Sequence, residues 1–348
     1  MFAPHHRLAA AALLTLAASA HAQSSVTLYG NVDAGLAYTQ TRVSGGSSSS
    51  QTELQSSILS ESIFGLKGQE DLGGGLKAIF KLESGLNVDT GAADTPSNFW
   101  GENAYIGLEG EFGTVTLGSQ ESLFKSQAAA FDAFADSPAF AVSQFFIGGV
   151  LGGAWQNMVG YVSPELSGFT FAAQHSAREA NAVPSSSPSN AVNGGATALA
   201  AHYTHGALGL SAVIGDVRST DATRAEVRNQ AWLLGASYDL GVVKAFGQYA
   251  QNKAEDAAGA AQFKETFFQL GAVVPVSEAG NVHVSYGAIK KDDVALADVK
   301  QRQFSLAYHH ALSKRTGAYA GLIYAKDDQG AAPDVKTTTI AAGLRHAF

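Results

Sequence analysis

The 348-residue chain has no cysteine, two methionines, three tryptophans and eight prolines. Without cysteine there is no disulfide scaffold, thiolate zinc site, thiol nucleophile or c-type haem attachment. Charge is also scarce: 15% of residues are charged, against about 25% in ordinary soluble domains. Mean hydropathy is +0.02, so repeated apolar runs of about 20 residues, as in a helical membrane bundle, are excluded. With 46% hydrophobic residues the chain is too apolar to be disordered. Low charge, neutral hydropathy and 38 glycines fit either a large secreted β protein or a membrane barrel whose residues alternate between lipid and water.

Residues 1–22 read as an export signal. Arg7 supplies a positive start, LAAAALLTLAASA is too short to span a bilayer as a helix, and Ala20-His21-Ala22 has the small-x-small cleavage pattern. The expected cut falls between Ala22 and Gln23, and residues 23–348 then form one barrel domain outside the cytoplasm. Arg7 is one of 22 basic residues. Without it 21 face 30 acidic ones, a net charge of −9, which argues against a nucleic-acid partner.

The remaining chain is built from short alternating segments. Val26, Leu28, Val32, Ala34, Leu36 and Tyr38 share one parity with Gly30, and Thr27, Tyr29, Asn31 and Asp33 the other, so each set occupies one strand face. Short turns at 71–75, 110–113, 165–168, 205–209, 239–241, 277–280 and 311–313 alternate with long polar connections at 40–56, 87–98, 119–156, 177–196, 218–228, 252–263, 291–298 and 327–336. These fifteen connections predict an all-β, 16-stranded antiparallel transmembrane barrel, with all its short turns at one end. An even strand number lets the last strand pair antiparallel with the first and leaves no open edge. The third long connection exceeds what a hairpin needs, which predicts a separate role for it.

The cost of charge in hydrocarbon sets the register: a lysine on the lipid face costs roughly 2–4 kcal/mol at mid-bilayer. Leu76, Ala78, Phe80 and Leu82 therefore face out, and Lys77, Lys81 and Glu83 face in. Phe64 and Leu66 oppose Lys67, and Ile340, Ala342, Leu344 and Phe348 oppose Arg345. A polar interior of this size implies water. In residues 242–249, Val242 and Phe246 share a face with Lys244, which leaves open a mistaken register or contact with an inserted loop or a subunit.

These same stretches resemble the general porins of Gram-negative outer membranes, of the beta-proteobacterial type. The resemblance is carried by SSVTLYGNVDAGLAY at 24–38, SIFGLKGQEDLGGGLKAIFKLESG at 62–85, AYIGLEGEFGTVTLGSQ at 104–120 and the terminal GLRHAF. It implies a homotrimer with one pore per subunit, in which an inward-folded third loop narrows the channel. It further implies passive diffusion of ions and small hydrophilic solutes, without enzyme activity, cofactor or metal. Here the loop tip reads AAAFDAFADSPAF (128–140), unlike the PEFGG-like tip of enteric relatives. Phe348 resembles the terminal signal read by the barrel-assembly machinery, and equally suits an aromatic belt.

The expected pore charges are Glu121, Asp132 and Asp136 on loop three, facing Lys67, Lys77 and Lys81, with Arg345 and Lys77 towards the periplasmic exit. Each acid reads equally as a solvated or loop-stabilising carboxylate. The loop pairs Asp292-Asp293, Asp327-Asp328 and Glu255-Asp256 are either solvated charge or divalent-ion sites beside outer-membrane lipids and lipopolysaccharide. His202 and His205 fall on opposite strand faces and so share no metal. The alternative is an outer-membrane enzyme or adhesin that uses the barrel only as an anchor.

Overall fold

The computed structural model describes residues 25–96, 98–178, 195–220 and 226–348; the expected signal segment and its cleavage pair, Ala22 and Gln23, lie outside them. The strands are β1 (Ser25–Val43), β2 (Ser48–Ser56), β3 (Ile63–Gly73), β4 (Leu76–Asn87), β5 (Ala92–Ala93), β6 (Asn103–Gly110), β7 (Gly113–Glu121), β8 (Ala154–Val162), β9 (Phe169–Ser176), β10 (Ala196–His205), β11 (Leu208–Thr220), β12 (Glu226–Asp239), β13 (Lys244–Asp256), β14 (Ala261–Pro275), β15 (Gly280–Asp293), β16 (Val299–Ala311), β17 (Thr316–Asp328) and β18 (Val335–Ala347). Helices α1 (Leu123–Ala130) and α2 (Gln144–Ile147) lie between β7 and β8.

These strands make sixteen staves, all antiparallel. Among the described residues the two-residue β5 pairs with the end of β4. Strands β2 and β3 form a single interrupted stave, pairing with the outer and inner halves of β1. The other edge of β1 pairs with β18 from Asn31–Ala347 to Val43–Val335. This seam closes the cylinder, so the backbone groups of the ladder bond to one another and not to lipid.

The Asp33 carboxylate causes the interruption at 57–62. It is fully buried and accepts from the amides of Ile58, Leu59 and Ser60 at 3.1–3.2 Å and from the Tyr319 hydroxyl at 2.6 Å. Three successive amides turned onto one carboxylate cannot also serve the ladder, so the segment bows off the stave.

Exposure follows the expected parity. Val26, Leu28 and Leu36 are exposed on one face of β1, while Asn31, Asp33 and Ala37 are buried on the other. Leu66 pairs with Leu28 and Leu82, and Lys67 with Thr27 and Lys81. Strand ends differ from the sequence reading. Residues 40–56 were expected to form a long connection, yet β1 and β2 run through them and leave only a turn at 44–47. The stretches 252–263 and 327–336 are likewise shortened by ladder. Above the membrane both faces are wet, so polar side chains no longer mark where backbone pairing stops.

The segment 122–153 packs against the inward faces of the wall. Its Leu123, Phe124, Phe146 and Ile147 cluster with Ala198, Val213, Leu233, Ala250 and Phe267. Its Ala133, Phe134, Phe140 and Ala141 cluster with Ala37, Ile58, Tyr319 and Ala341. Phe246 joins this second cluster, which accounts for an apolar residue on the inner face beside Lys244. Inward glycines make the seat. A methyl group at Gly215 would meet the Phe124 ring at 2.7 Å, at Gly235 the Phe131 ring at 2.7 Å, and at Gly321 the Phe140 ring at 2.6 Å. Gly235→Val should therefore push Phe131 off the wall, an overpacking cost of roughly 1–3 kcal/mol. Faster proteolysis within 122–153 and a lower unfolding temperature would register it; an unchanged digestion rate would count against the seat.

Candidate functional site: the internal segment and the lumen charges

Segment 122–153 starts from a capped helix. The Ser122 hydroxyl accepts from the Lys125 amide at 3.1 Å, satisfying one free amide of the first turn. The Gln174 side chain clamps the root: it accepts from the Leu123 amide at 2.9 Å and donates to the Glu121 carbonyl at 3.0 Å. The far end is held by the wall. Ser137 Oγ donates to the Ile58 carbonyl at 2.8 Å, Gln303 Nε2 to the Ala139 carbonyl at 3.2 Å, and His283 Nδ1 bonds the Ala133 carbonyl at 2.7 Å. The segment thus follows the inner wall from β8 round to the bowed stretch 57–62.

One cation organises its root. Lys125 Nζ lies 3.0 Å from Glu61, 3.4 Å from Glu102 and 3.5 Å from Glu121. Burial opposes its charged form, but these carboxylates outweigh burial and raise its pKa above the ordinary lysine range. Neither Lys125, Glu61 nor Glu102 was picked out from the sequence. Glu61 is 64 residues and Glu102 23 residues from their partner, and no local spacing links them.

The expected acids separate. Glu121 joins the Lys125 group. Asp136 is partly exposed. Asp132 turns inward into its own segment: it is 4% exposed, and its carboxylate accepts from the amides of Phe134 at 2.9 Å and Ser143 at 3.1 Å. It staples the loop and does not face water. The basic residues also divide. Lys67 and Lys81 are opposed across β3 and β4. Lys67 Nζ lies 4.8 Å from the centre of the Tyr29 ring, and Lys81 reaches Glu83 at 2.7 Å. Lys77 sits apart beside the periplasmic turn, held by Glu109 at 3.0 Å. Arg345 Nε donates to Asn31 Oδ1 at 2.8 Å. Phe348 closes the seam, exchanging backbone bonds with Gly30 at 3.1 and 3.2 Å. Its ring covers Gly30, where a side chain would collide with it.

A closed cylinder with an apolar exterior, a charged lumen and an internal segment along one wall is the geometry of a pore, and comparison with known proteins gives it a family. The family model described as "Gram-negative porin" matches residues 9–330. The chain belongs to the Gram-negative porins. It is similar to an outer membrane porin of Bordetella pertussis, at 31% identity over 98% of this chain and 99% of that one. It is equally similar to outer membrane porin protein 32 of Delftia acidovorans, at 31% identity over the same shares. Among solved structures, an anion-selective porin from Comamonas acidovorans superposes with a TM-score of 0.80 at 29% identity, over 93% of this chain and all of that one. The porin is therefore an outer-membrane channel for passive diffusion.

Burial pushes the Asp132 carboxyl up to about 6, although the Phe134 and Ser143 amides pull it down. The native value lies above the unfolded one of about 3.9, so this group stabilises the packed loop fully only at pH below about 4 and loses that contribution as pH rises through about 6. Proteolysis within 122–153 should be slower at about pH 5 than at about pH 7.5, and Asp132→Asn should remove this carboxylate's share of the difference. Asp132→Ala strands both amides at about 1–3 kcal/mol each, which thermal unfolding should show.

Proposed function

We propose that the porin passes ions and small hydrophilic solutes by diffusion alone, without bond chemistry, through a lumen narrowed by the segment 122–153. Its charge preference is set by Glu61, Glu102, Glu121 and Asp136 on one side, with Lys67, Lys81 and Arg345 below them. The observation that carries this reading is the Lys125 ammonium, within 3.5 Å of three carboxylates at the root of the internal segment. Burial pushes the Glu61 carboxyl up to about 7, so near neutral pH one ammonium stands against up to three carboxylates, and the group is net negative whenever two or more of them are ionised. Asp132 is left out because its carboxylate is spent on amides, and Lys77 because Glu109 holds it at the exit. Separated groups of opposite fixed charge orient polar solutes and disfavour apolar ones, which must displace aligned water.

The same proposal covers the life of the chain: export on residues 1–22 with cleavage between Ala22 and Gln23, delivery to the assembly machinery by way of Phe348, and function as a homotrimer among outer-membrane lipids and lipopolysaccharide. Support for close subunit packing comes from small outward side chains on adjacent staves: Ala318 and Ala320 on β17, Ala342 on β18 and Ala34 on β1. They let a second barrel approach closely.

In a planar bilayer the purified porin should insert in stepwise, ohmic conductance increments; silence at protein levels sufficient for other porins would sink the reading. In a salt gradient, Glu102→Gln should raise the chloride-to-potassium permeability ratio and Lys67→Gln should lower it. A few-fold change is expected, since a unit charge roughly 5 Å from the ion path is worth about 0.8 kcal/mol in water. Unmoved reversal potentials in both would remove these residues from the path.

A further inference from the structure

The lipid-facing wall carries a feature that conduction does not use. A crevice of about 480 Å³ opens between β10 and β13, and its lining includes Leu199, Ile214, Asp216, Trp232, Gln251 and Lys253. Leu199 is 50% and Ile214 57% exposed, while Ala198, Val213 and Leu233, their neighbours on the opposite parity, are buried beneath the internal segment. The crevice therefore faces away from the lumen. Its lower part is apolar, with Trp232 tilted against Tyr249 at 5.5 Å between ring centres. Trp and Tyr mark the membrane–water boundary, and the long-loop ends of the strands lie beyond them.

Just above this boundary two lysines are set against each other. Lys253 pairs directly with Lys264 across β13 and β14, and both side chains are exposed. Like charges directly opposed, with Cβ atoms about 5 Å apart, destabilise a sheet. Nearby Arg218 and Arg228 are also opposed, but both are ion-paired, with Asp216 and with a Glu226 that Arg178 shares. Neither lysine has a carboxylate within ion-pair distance among the described residues. Asp292 stands opposite Lys264, yet it is engaged by Lys290. Two ammonium groups without an ion pair of their own, beside a crevice whose one carboxylate, Asp216, is already held by Arg228, call for an anion attached to hydrocarbon.

We infer that the crevice between β10 and β13 seats an acyl chain of a phosphorylated outer-leaflet glycolipid, with Lys253 and Lys264 holding its phosphate. Acyl chain and headgroup are one molecule here, which is why apolar and cationic parts adjoin. Charge-assisted bonds from two lysines to one phosphate also remove the repulsion between them. The seat deepens the lipid reading above and depends on the barrel standing in that leaflet.

The test uses the full-length porin, purified and stripped of lipid. It is titrated with bisphosphorylated lipid A, the same lipid with its phosphates removed, and inorganic phosphate, with bound mass read by native mass spectrometry. Wild type should favour the phosphorylated lipid by roughly tenfold or more, the size of a lost charge-assisted hydrogen bond. Lys253→Gln with Lys264→Gln should abolish that preference, and Lys253→Arg with Lys264→Arg should keep it. Single-channel conductance should be unchanged in both variants, since neither residue lines the lumen. No preference in wild type, a preference that survives the glutamine pair, or binding of inorganic phosphate as tight as that of the lipid would overturn the seat. Missing conductance in wild type would instead fail the pore reading.

Discussion

Hydrocarbon offers a backbone amide no hydrogen-bond partner, and the rest of this structure follows from that constraint. An exposed ladder edge in the bilayer would leave a row of amides and carbonyls unsatisfied, so β1 has to meet β18, as it does from Asn31–Ala347 to Val43–Val335. Once the cylinder is closed, each inward or outward choice is fixed by the period of two. Lys67 and Lys81 have only the water side available, and Leu66 and Leu82 only the lipid side. The polar lumen is thus a by-product of keeping charge out of lipid.

A wide wet lumen carries little selectivity of its own. This chain lays along its inner wall a segment that could not be stable alone. The helices α1 and α2 span only eight and four residues, too short to persist in water. They are held because their apolar faces find alanine, valine and leucine on the inner wall, and because inward glycines leave room for phenylalanine rings. Buried polar contacts then fix the register of the segment: Asp132 within it, Ser137 and Gln303 at its tip, Gln174 at its root.

The barrel itself was legible in the sequence, and the reason is local. In residues 26–38 and 76–83 the lipid imposes its pattern on neighbours two apart, and a single chain displays it. Where both faces are wet the pattern fades, so residues 40–56 concealed a hairpin. The charged root of the internal segment was legible only in part. Glu121 lies in it, but the lysine that gathers Glu121 to Glu61 and Glu102 shows nothing unusual in its own neighbourhood. Asp132 illustrates the converse: an acid in an apolar stretch reads the same whether it faces water or staples a turn, and only the positions of the Phe134 and Ser143 amides decide.

The seam has a further consequence for biogenesis. Arg345 and Asn31 bond across 314 residues of sequence, and Phe348 is itself part of the joint. Contacts so distant in sequence form late and slowly. The leading strand therefore keeps one edge vacant until β18 arrives. Until then the chain is a sticky, sheet-forming polymer that cannot yet finish itself and is prone to pair with its own copies, and any product lacking β18 remains an unclosed sheet.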